Sequence, residues 1–410
     1  MRDEDIAWAA RVRADLTGNV LPWWRDGAFD RDGRARGGRA NDGSALDLPR
    51  SAVLGTRLLW TFASAQHRLG PAAGCAPAAR LALDWVRGPL SDAAEGGVFW
   101  SVDAGGRPIA DHKQTYAQAF AIYGLVAFHR WRCAEDGLPA HAVTPALAHA
   151  MQLFELLDAH PRDREHGGYL EGCARDWTPL PGARLSDQEP ASPKSTNTLL
   201  HVLEAFTALL PCTPDPRVAA RLRELVEIFL DRLWQPAPQC FGLFFSRDWR
   251  CLTAQVSPGH DIEGAWLLVR AAEALGESAL LRRARDRALE AADGVLAHGL
   301  NADGSVVGEL RFDGVVTDIR RQWWCQAEAM VGFHDAWRLG GREEHARAAR
   351  DAWDYIERHH VDRAHGDWLK VLDAHGRPIA GVPKAGPWEC PYHHVRAALE
   401  MIERLAAPPP

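Results

Sequence analysis

The 410-residue sequence predicts an all-α protein, an (α/α)6 barrel of six helical hairpins with short β-hairpins and loops at the mouth of a central pocket. Three observations support this prediction. Helical periodicity of apolar residues dominates the chain. Charged, Arg- and Glu-rich helical segments alternate with segments that are poorer in charge. A unit of outer helix, hairpin or loop, and inner helix recurs six times, which indicates one closed or stacked architecture rather than independent domains.

Apolar residues spaced at i, i+3, i+4 and i+7 mark twelve helical segments. Charged segments such as 217–224 indicate outer, half-solvated helices. Segments that open with polar or aromatic residues, such as Asn197 or Tyr392, indicate inner helices. The twelve segments are Asp5–Leu21, Arg50–Leu69, Ala76–Val86, Gln114–Trp131, Pro145–Ala159, Ser195–Leu210, Arg217–Trp234, Asp261–Leu275, Ser278–Ala297, Gln322–Leu339, Arg342–His359 and Pro391–Leu405.

Short segments between outer and inner helices carry aromatic and β-branched residues flanked by Gly, Asp or Pro, which predicts small hairpins. They are 96–106, 167–171, 242–249, 306–310 and 366–373. Residues 26–48 are rich in Gly, Arg and Asp without periodicity and predict a long loop over the mouth. The Pro-rich tail cannot continue a helix, so we predict one barrel domain over 1–405 and a disordered tail over 406–410.

The overall charge and the termini exclude several classes of protein. A net charge of −7 gives no indication of a positively charged surface that would bind nucleic acid. No apolar run approaches the roughly 20 residues that a membrane helix needs, and the acidic start predicts that there is no secretory signal. Eight scattered cysteines without a C-x-x-C pair are typical of reduced thiols. We therefore expect a cytoplasmic monomer or homodimer whose partner is a small molecule.

Three histidines occur near the start of inner helical segments: His201, His260 and His393. The ends of inner helices converge in a closed ring, so we expect these side chains around one cavity. Each has polar neighbours. His260 and Glu263 are spaced i, i+3 and Asn197 and His201 are spaced i, i+4, so both pairs share a helix face. His201 with Glu204 and Trp324 with Glu328 repeat these spacings.

Histidine suggests proton transfer as the chemistry of this site. Zinc sites also use three histidines, but compact spacings such as H-E-x-x-H are absent, so the metal signal is weak and we predict no metal. Histidine titrates near neutrality and can exchange protons with the weak acid α to a carbonyl. The sequence holds no P-loop and no G-x-S-x-G, which removes support for phosphoryl transfer and for α/β-hydrolase chemistry.

Several strings of residues carry a family resemblance. They are Gly259–Glu263 (GHDIE), 323–329 (WWxQAEA) and 386–393 (GPWxCPYH), with further matching stretches at 47–62, 116–123 and 194–205. The sequence resembles the N-acylglucosamine 2-epimerase superfamily, and the closest branch is that of the cellobiose 2-epimerases. The similarity spans nearly the whole chain.

The resemblance implies a barrel that interconverts C2 epimers of a reducing-end sugar without a cofactor, through a cis-enediolate. It implies that His260 and His393 form the acid/base pair and that His201 stabilises the enediolate. The residues that it implies for positioning hydroxyls or tuning the histidines are Arg57, Tyr116, Asn197, Glu263 and Glu328. Those implied for stacking on sugar rings are Trp324 and Trp388, with Trp323 as a neighbour.

The sequence departs from the branch at a few positions and leaves alternatives open. His394, Glu389 and Cys325 replace the usual Asn, Lys and Pro, and Glu389 reverses a charge near the mouth. Preference for a disaccharide or for glucose and mannose therefore stays open. One alternative is a mannose isomerase. Others are a glycoside hydrolase that uses Glu263 and Glu328 as its two carboxylates, and a helical-repeat interaction protein.

Overall fold

The computed structural model describes residues 3–407 and is built from helices. Every predicted helical segment is helical, and the described part of the chain contains thirteen α-helices because a π-helical turn, Leu16–Val20, divides the first one. The helices are α1 Asp3–Asp15, α2 Leu21–Gly27, α3 Ala52–Leu69, α4 Ala76–Arg87, α5 Thr115–Glu135, α6 Pro145–Ala159, α7 Thr196–Leu209, α8 Pro216–Ile228, α9 Pro258–Leu275, α10 Ser278–His298, α11 Trp323–Gly340, α12 Glu343–Tyr355 and α13 Tyr392–Ala406.

Six inner helices, α3, α5, α7, α9, α11 and α13, form a closed ring in which α13 packs against α3. The outer helices α4, α6, α8, α10 and α12 each pack on the inner helix that precedes them, and α1 packs on α13. Amphipathicity explains the two layers, since α12 buries one face with Ala349 and Trp353 while α3 buries every residue from Ala52 to Gln66. The predicted (α/α)6 barrel is confirmed.

Sixteen short strands, all antiparallel, lie among the described residues. They are β1 Gly38–Arg39, β2 Ala45–Leu46, β3 Arg50–Ser51, β4 Ser101–Val102, β5 Pro108–Ala110, β6 Lys113–Gln114, β7 Gly172–Cys173, β8 Lys194–Ser195, β9 Trp234–Gln235, β10 Cys240–Phe241, β11 Phe244–Phe245, β12 Gln255–Val256, β13 Glu309–Arg311, β14 Val316–Asp318, β15 Arg321–Gln322 and β16 Val371–Leu372.

The strands tie the N-terminal ends of the inner helices together. β3, β6, β8, β12 and β15 each come shortly before an inner helix, and each pairs with a strand of the following unit: β4, β7, β11, β13 and β16 respectively. The predicted hairpins at 242–249 and 366–373 therefore pair mainly with these strands rather than within themselves. Segment 167–171 contains no strand, and Tyr169 forms a β-bridge with Arg162. This ladder holds the helix ends at one mouth of the barrel.

Buried ion pairs reinforce the ladder at repeating positions. Lys113 and Lys194, in the strands before α5 and α7, lie 2.9 Å from Asp92 and Asp163 respectively. Each aspartate also accepts hydrogen bonds from backbone N–H groups two and three residues further on. Pairing and hydrogen bonding satisfy charges that would otherwise be costly to bury, so these pairs fix the starts of α5 and α7.

The predicted loop at 26–48 is more ordered than its sequence suggested. It begins with the end of α2, contains the β1–β2 pair, and forms a β-bridge in which Arg39 N–H donates to Ala385 O at 2.9 Å. This bridge places the segment against the loop that precedes α13. At the other end α13 runs to Ala406, one residue past the predicted domain boundary, and 408–410 of the predicted tail lie outside the described residues.

All eight cysteines are free thiols, as predicted. Within residues 3–407, no helix combines the length and the apolar character that crossing a membrane requires.

Candidate active site

A cavity of about 200 Å³ opens at the N-terminal ends of the inner helices, and all six inner helices contribute to it. It brings together every site residue predicted from the sequence except Glu328. The predicted residues that line it are Arg57, Tyr116, Asn197, His201, His260, Glu263, Trp323, Trp324, Trp388 and His393. Three lining residues were not predicted to belong to the site: Gln322, Val371 and Glu389.

Glu328 lies behind His393 instead of facing the cavity. His393 Nδ1 is 2.8 Å from Glu328 Oε1, and Trp266 Nε1–H donates to Glu328 Oε2 at 3.1 Å. A carboxylate only accepts hydrogen bonds, so this contact keeps the proton of a neutral His393 on Nδ1. The lone pair is then on Nε2, and no hydrogen bond to that atom is found among the described residues.

His201 has the same kind of support from Glu204, at the i, i+3 spacing of its own helix. Its Nδ1 lies 3.0 Å from Glu204 Oε2, and the Tyr392 hydroxyl donates to Glu204 Oε1 at 2.6 Å. The predicted shared face of His201 and Glu204 is therefore an actual contact. Tyr116 packs edge-on against the His201 ring with centroids 5.0 Å apart.

His260 differs from the other two histidines because a hydroxyl supports it. Its Nδ1 lies 2.9 Å from Oγ of Ser257, the residue that caps α9. A hydroxyl both donates and accepts, so either nitrogen of His260 can carry the proton. The i, i+3 partner Glu263 does not bond to His260, because its carboxylate turns inward to Arg396.

Arg396 is the centre of a buried network that the sequence did not reveal. Its guanidinium bonds to Glu204, Glu263 and Glu328, which come from three different helices, and it donates to Glu328 Oε1 at 2.7 Å. Its side chain is 1% exposed. One cation thereby holds the three carboxyl groups together, and the network sets the orientation of His201 and His393 from behind.

The local signal for Arg396 was weak. It lies one turn after Tyr392 on α13, a spacing that shares a face, and no motif marks it as special. Its partners are 68 to 192 positions away in the chain, so only the closed ring brings them together.

Burial governs the electrostatics of the cavity. Burial, assisted by the positive charge of Arg57, lowers the pKa of His260 to about 3 and that of His393 well below its usual value. Both imidazoles are therefore neutral at pH 7. Burial next to Glu328 raises the pKa of Glu263 to about 7, although Arg396 opposes that shift. One carboxyl in the cavity thus titrates near neutrality.

Aromatic rings and one cation complete the walls. Trp324 packs at 4.7 Å from His260 and 5.6 Å from His393, measured between ring centroids, so it contacts both imidazoles. Arg57 Nη2–H donates to the Tyr116 hydroxyl at 2.6 Å. Flat apolar rings beside polar groups suit a sugar, whose ring has both C–H faces and hydroxyl edges.

Glu263, Glu328 and His393 offer potential metal-ligand atoms within 4.8 Å of one another. The Arg396 guanidinium already binds Oε1 of both carboxylates. A divalent cation would have to displace that charge, so the donor set does not fit a metal.

Comparison with known proteins identifies the family of this chain. The family model for N-acylglucosamine 2-epimerase (GlcNAc 2-epimerase) matches residues 38–397. A cellobiose 2-epimerase from Bacteroides fragilis is 34% identical over 95% of this chain and 97% of its own length. The solved structure of a cellobiose 2-epimerase from Bacillus thermoamylovorans is 30% identical, with a TM-score of 0.89 over 97% of this chain and 99% of that one.

A more distant relative is a D-mannose isomerase from Thermobifida fusca, 26% identical over 85% of this chain and 83% of its own length. The family model covers most of the chain, and the Bacteroides relative aligns over nearly all of it. The chain therefore belongs to the N-acylglucosamine 2-epimerase family.

Proposed function

We propose that the protein is a sugar 2-epimerase that inverts C2 of a reducing-end aldose, with cellobiose-type disaccharides or glucose and mannose as substrates. The observation that carries this proposal is that His260 and His393 line one cavity and both contact Trp324. Two imidazoles around a site of this size can reach opposite faces of a planar intermediate. Similarity to cellobiose 2-epimerases supports the same reaction class.

In the proposed mechanism one histidine opens the sugar ring and both exchange the C2 proton. Neutral His393, with its Nε2 lone pair facing the cavity, removes the proton α to the C1 aldehyde and becomes an imidazolium beside Glu328. The resulting cis-enediolate lies between the histidines. In ring opening His260 takes the proton of the C1 hydroxyl, and water protonates the ring oxygen. The resulting imidazolium, with Nδ1 beside Ser257, then delivers its Nε2 proton to the other face of C2, and the hydroxide left by that water takes the proton from His393.

The remaining cavity residues would bind and polarise the sugar. Arg57 would donate hydrogen bonds to the C1 and C2 oxygens as charge develops there, the role of an oxyanion site. His201, whose Nδ1–H donates to Glu204, would accept a hydrogen bond from a sugar hydroxyl at Nε2. The ring of Trp388 would stack on a sugar ring. The cavity volume of about 200 Å³ is below the roughly 300–1,000 Å³ of pockets that enclose larger ligands, so it would hold one hexose and leave a second unit at the mouth.

Mannose isomerase is the second candidate, because the same enediolate gives fructose when the proton returns to C1, and a D-mannose isomerase is among the relatives. A hydrolase is less compatible with the cavity. Glu328 does not line it, and both its oxygens accept hydrogen bonds from other groups.

Incubating the protein with cellobiose, mannose and glucose separately in D2O tests the proposal. Epimerisation gives the C2 epimer with deuterium at C2. Fructose as the main product from mannose would establish the isomerase instead, and release of glucose from cellobiose would establish a hydrolase. His393→Asn should abolish conversion, while His375→Asn, at an exposed position, should leave it unchanged. Near-normal turnover by His393→Asn would refute the two-histidine mechanism.

We also propose a cytoplasmic protein that needs no cofactor and forms a monomer or homodimer. The free cysteines are compatible with a reducing compartment. Activity of protein purified without added cofactor, and its molar mass from light scattering, check these points.

A further inference from the structure

A second cavity, of about 220 Å³, adjoins a different face of the first turn of α9. Pro258 and Asp261 line it, whereas His260 and Glu263 line the cavity described above. The other walls are the end of α10, the β9–β10 turn and the β12–β13–β14 sheet. Among the described residues, the two cavities share no lining residue, so this is a separate space.

The walls of this second cavity are mostly apolar. The apolar lining residues are Pro238, Cys240, Val256, Pro258, Val295, Leu310 and Phe312. Cys240, Val256 and Leu310 belong to a small hydrophobic cluster that is separate from the main core. An apolar cavity of about 150 Å³ suffices to stay dry and take up a benzene-sized molecule. The space is therefore large enough for a small aromatic ligand.

Asp261 adds a buried polar group to these walls, which also include Gln239, His298 and Asp313. Its residue is 2% exposed, and its Oδ1 accepts a hydrogen bond from Phe241 N–H at 2.7 Å. Within the described residues no hydrogen bond to Oδ2 is found. Burial raises the pKa of Asp261 well above its usual value, which favours the protonated carboxyl. In that form Oδ2–H can donate a hydrogen bond into the cavity.

We propose that this cavity binds a small neutral aromatic molecule bearing one hydrogen-bond-accepting oxygen, with Asp261 as the donor, and that binding changes turnover at the sugar site. The apolar walls take the ring, and the oxygen accepts the Asp261 proton.

The effect on turnover follows from the position of the cavity. Asp261 directly follows His260, and Pro258 directly follows Ser257, whose Oγ holds His260 Nδ1. A ligand that shifts the first turn of α9 shifts that contact, and turnover depends on it in the proposed function. Binding itself does not depend on the proposed function.

Calorimetric titration of the wild-type protein with anisole and ethylbenzene tests the binding. The two probes have nearly the same shape, and only anisole has an oxygen acceptor. We expect anisole to bind with a Kd on the order of 1 mM or tighter and at least as tightly as ethylbenzene, although ethylbenzene is the more apolar. Absence of binding, or severalfold tighter binding of ethylbenzene, would overturn the proposal.

Val295→Phe, which fills the cavity, should weaken anisole binding at least 10-fold, and Val143→Phe, at an 87% exposed position, should not. In sugar assays anisole should change kcat and leave KM unchanged. Displacement of anisole by the sugar, or unchanged binding in a folded Val295→Phe protein, would show that the ligand lies elsewhere. If Val295→Phe does not fold, the relative affinities of the wild-type protein for anisole and ethylbenzene still test whether the cavity binds an aromatic molecule with an oxygen acceptor.

Discussion

His393 Nδ1 lies 2.8 Å from Glu328 Oε1, although the two residues are 65 positions apart on different helices. The contact makes the histidine a base with a defined tautomer, since the carboxylate can only accept. His260 has Ser257 in the corresponding place. The two imidazoles thus face one cavity with unequal partners, which gives each of them a distinguishable response to substitution.

Glu328→Gln should lower kcat about 10²–10⁴-fold, the usual contribution of a positioned acid or base, with a smaller change in KM. The amide can still accept from Nδ1–H, but it cannot stabilise the imidazolium. Steady-state kinetics on the preferred sugar measures this effect. Glu309→Gln, a half-buried carboxyl in β13 outside the cavity, is the matched control. A kcat within twofold of wild type in Glu328→Gln would contradict the role of the pair.

Ser257→Ala should reduce kcat by roughly 10-fold, a milder loss, because it removes a neutral partner of His260 rather than a charged one. It also removes the cap of α9, at a cost of about 1 kcal/mol in stability. Ser257→Thr keeps the hydroxyl and should recover most of the activity. Measuring kcat alongside the free energy of unfolding separates the two effects. Loss of stability without loss of kcat would leave Ser257 a structural cap only.

Arg396→Met should destabilise the fold by about 3–5 kcal/mol, since it leaves buried carboxylates without their cation. Arg347→Met, at an exposed position on α12, should change stability by less than about 0.5 kcal/mol. Urea unfolding at pH 7 gives both values. An Arg396→Met protein as stable as wild type would mean that the three carboxylates are protonated or solvated rather than held by Arg396.

Stability should fall in acid because of Glu204. Burial opposes ionisation of Glu204, but Arg396 and His201 outweigh it and lower the pKa to about 2 from the model-peptide 4.5. A lowered pKa stabilises the fold fully above pH 4.5, and this contribution is lost as pH falls towards 2. Unfolding free energies from pH 7 to pH 3 should show a smaller acid-dependent loss in Glu204→Gln than in wild type. An equal loss of unfolding free energy between pH 7 and pH 3 in both proteins would contradict the lowered pKa of Glu204.

Exhaustive dialysis against EDTA should leave kcat unchanged within twofold. Arg396 already occupies Oε1 of both Glu263 and Glu328, and a divalent ion there would face its positive charge. Metal content by mass spectrometry before and after dialysis accompanies the assay. Activity that disappears with EDTA and returns with one added cation would refute the metal-free proposal.

Helical spacing and sequence motifs predicted most of the residues that line the cavity and the contacts made within one helix. His201 and Glu204 are in contact because i, i+3 residues share a face. The same rule predicted that His260 and Glu263 share a face, and both side chains line the cavity. They do not bond to each other, because the Glu263 carboxylate bonds to Arg396. Glu328 was expected to position hydroxyls or to tune the histidines, and its place behind His393 favours the second role.

The sequence by itself determined the twelve helical segments, the sixfold repeat and the residues at the starts of the inner helices, since local periodicity and spacing encode them. Only the tertiary structure decided which side chains meet across the ring. Arg396 with three carboxylates, Glu328 behind His393, and the β-bridge between Arg39 and Ala385 all join residues far apart in the chain. Burial then determined the protonation of the histidines and carboxyl groups in the site, because desolvation depends on the closed barrel rather than on neighbours in sequence.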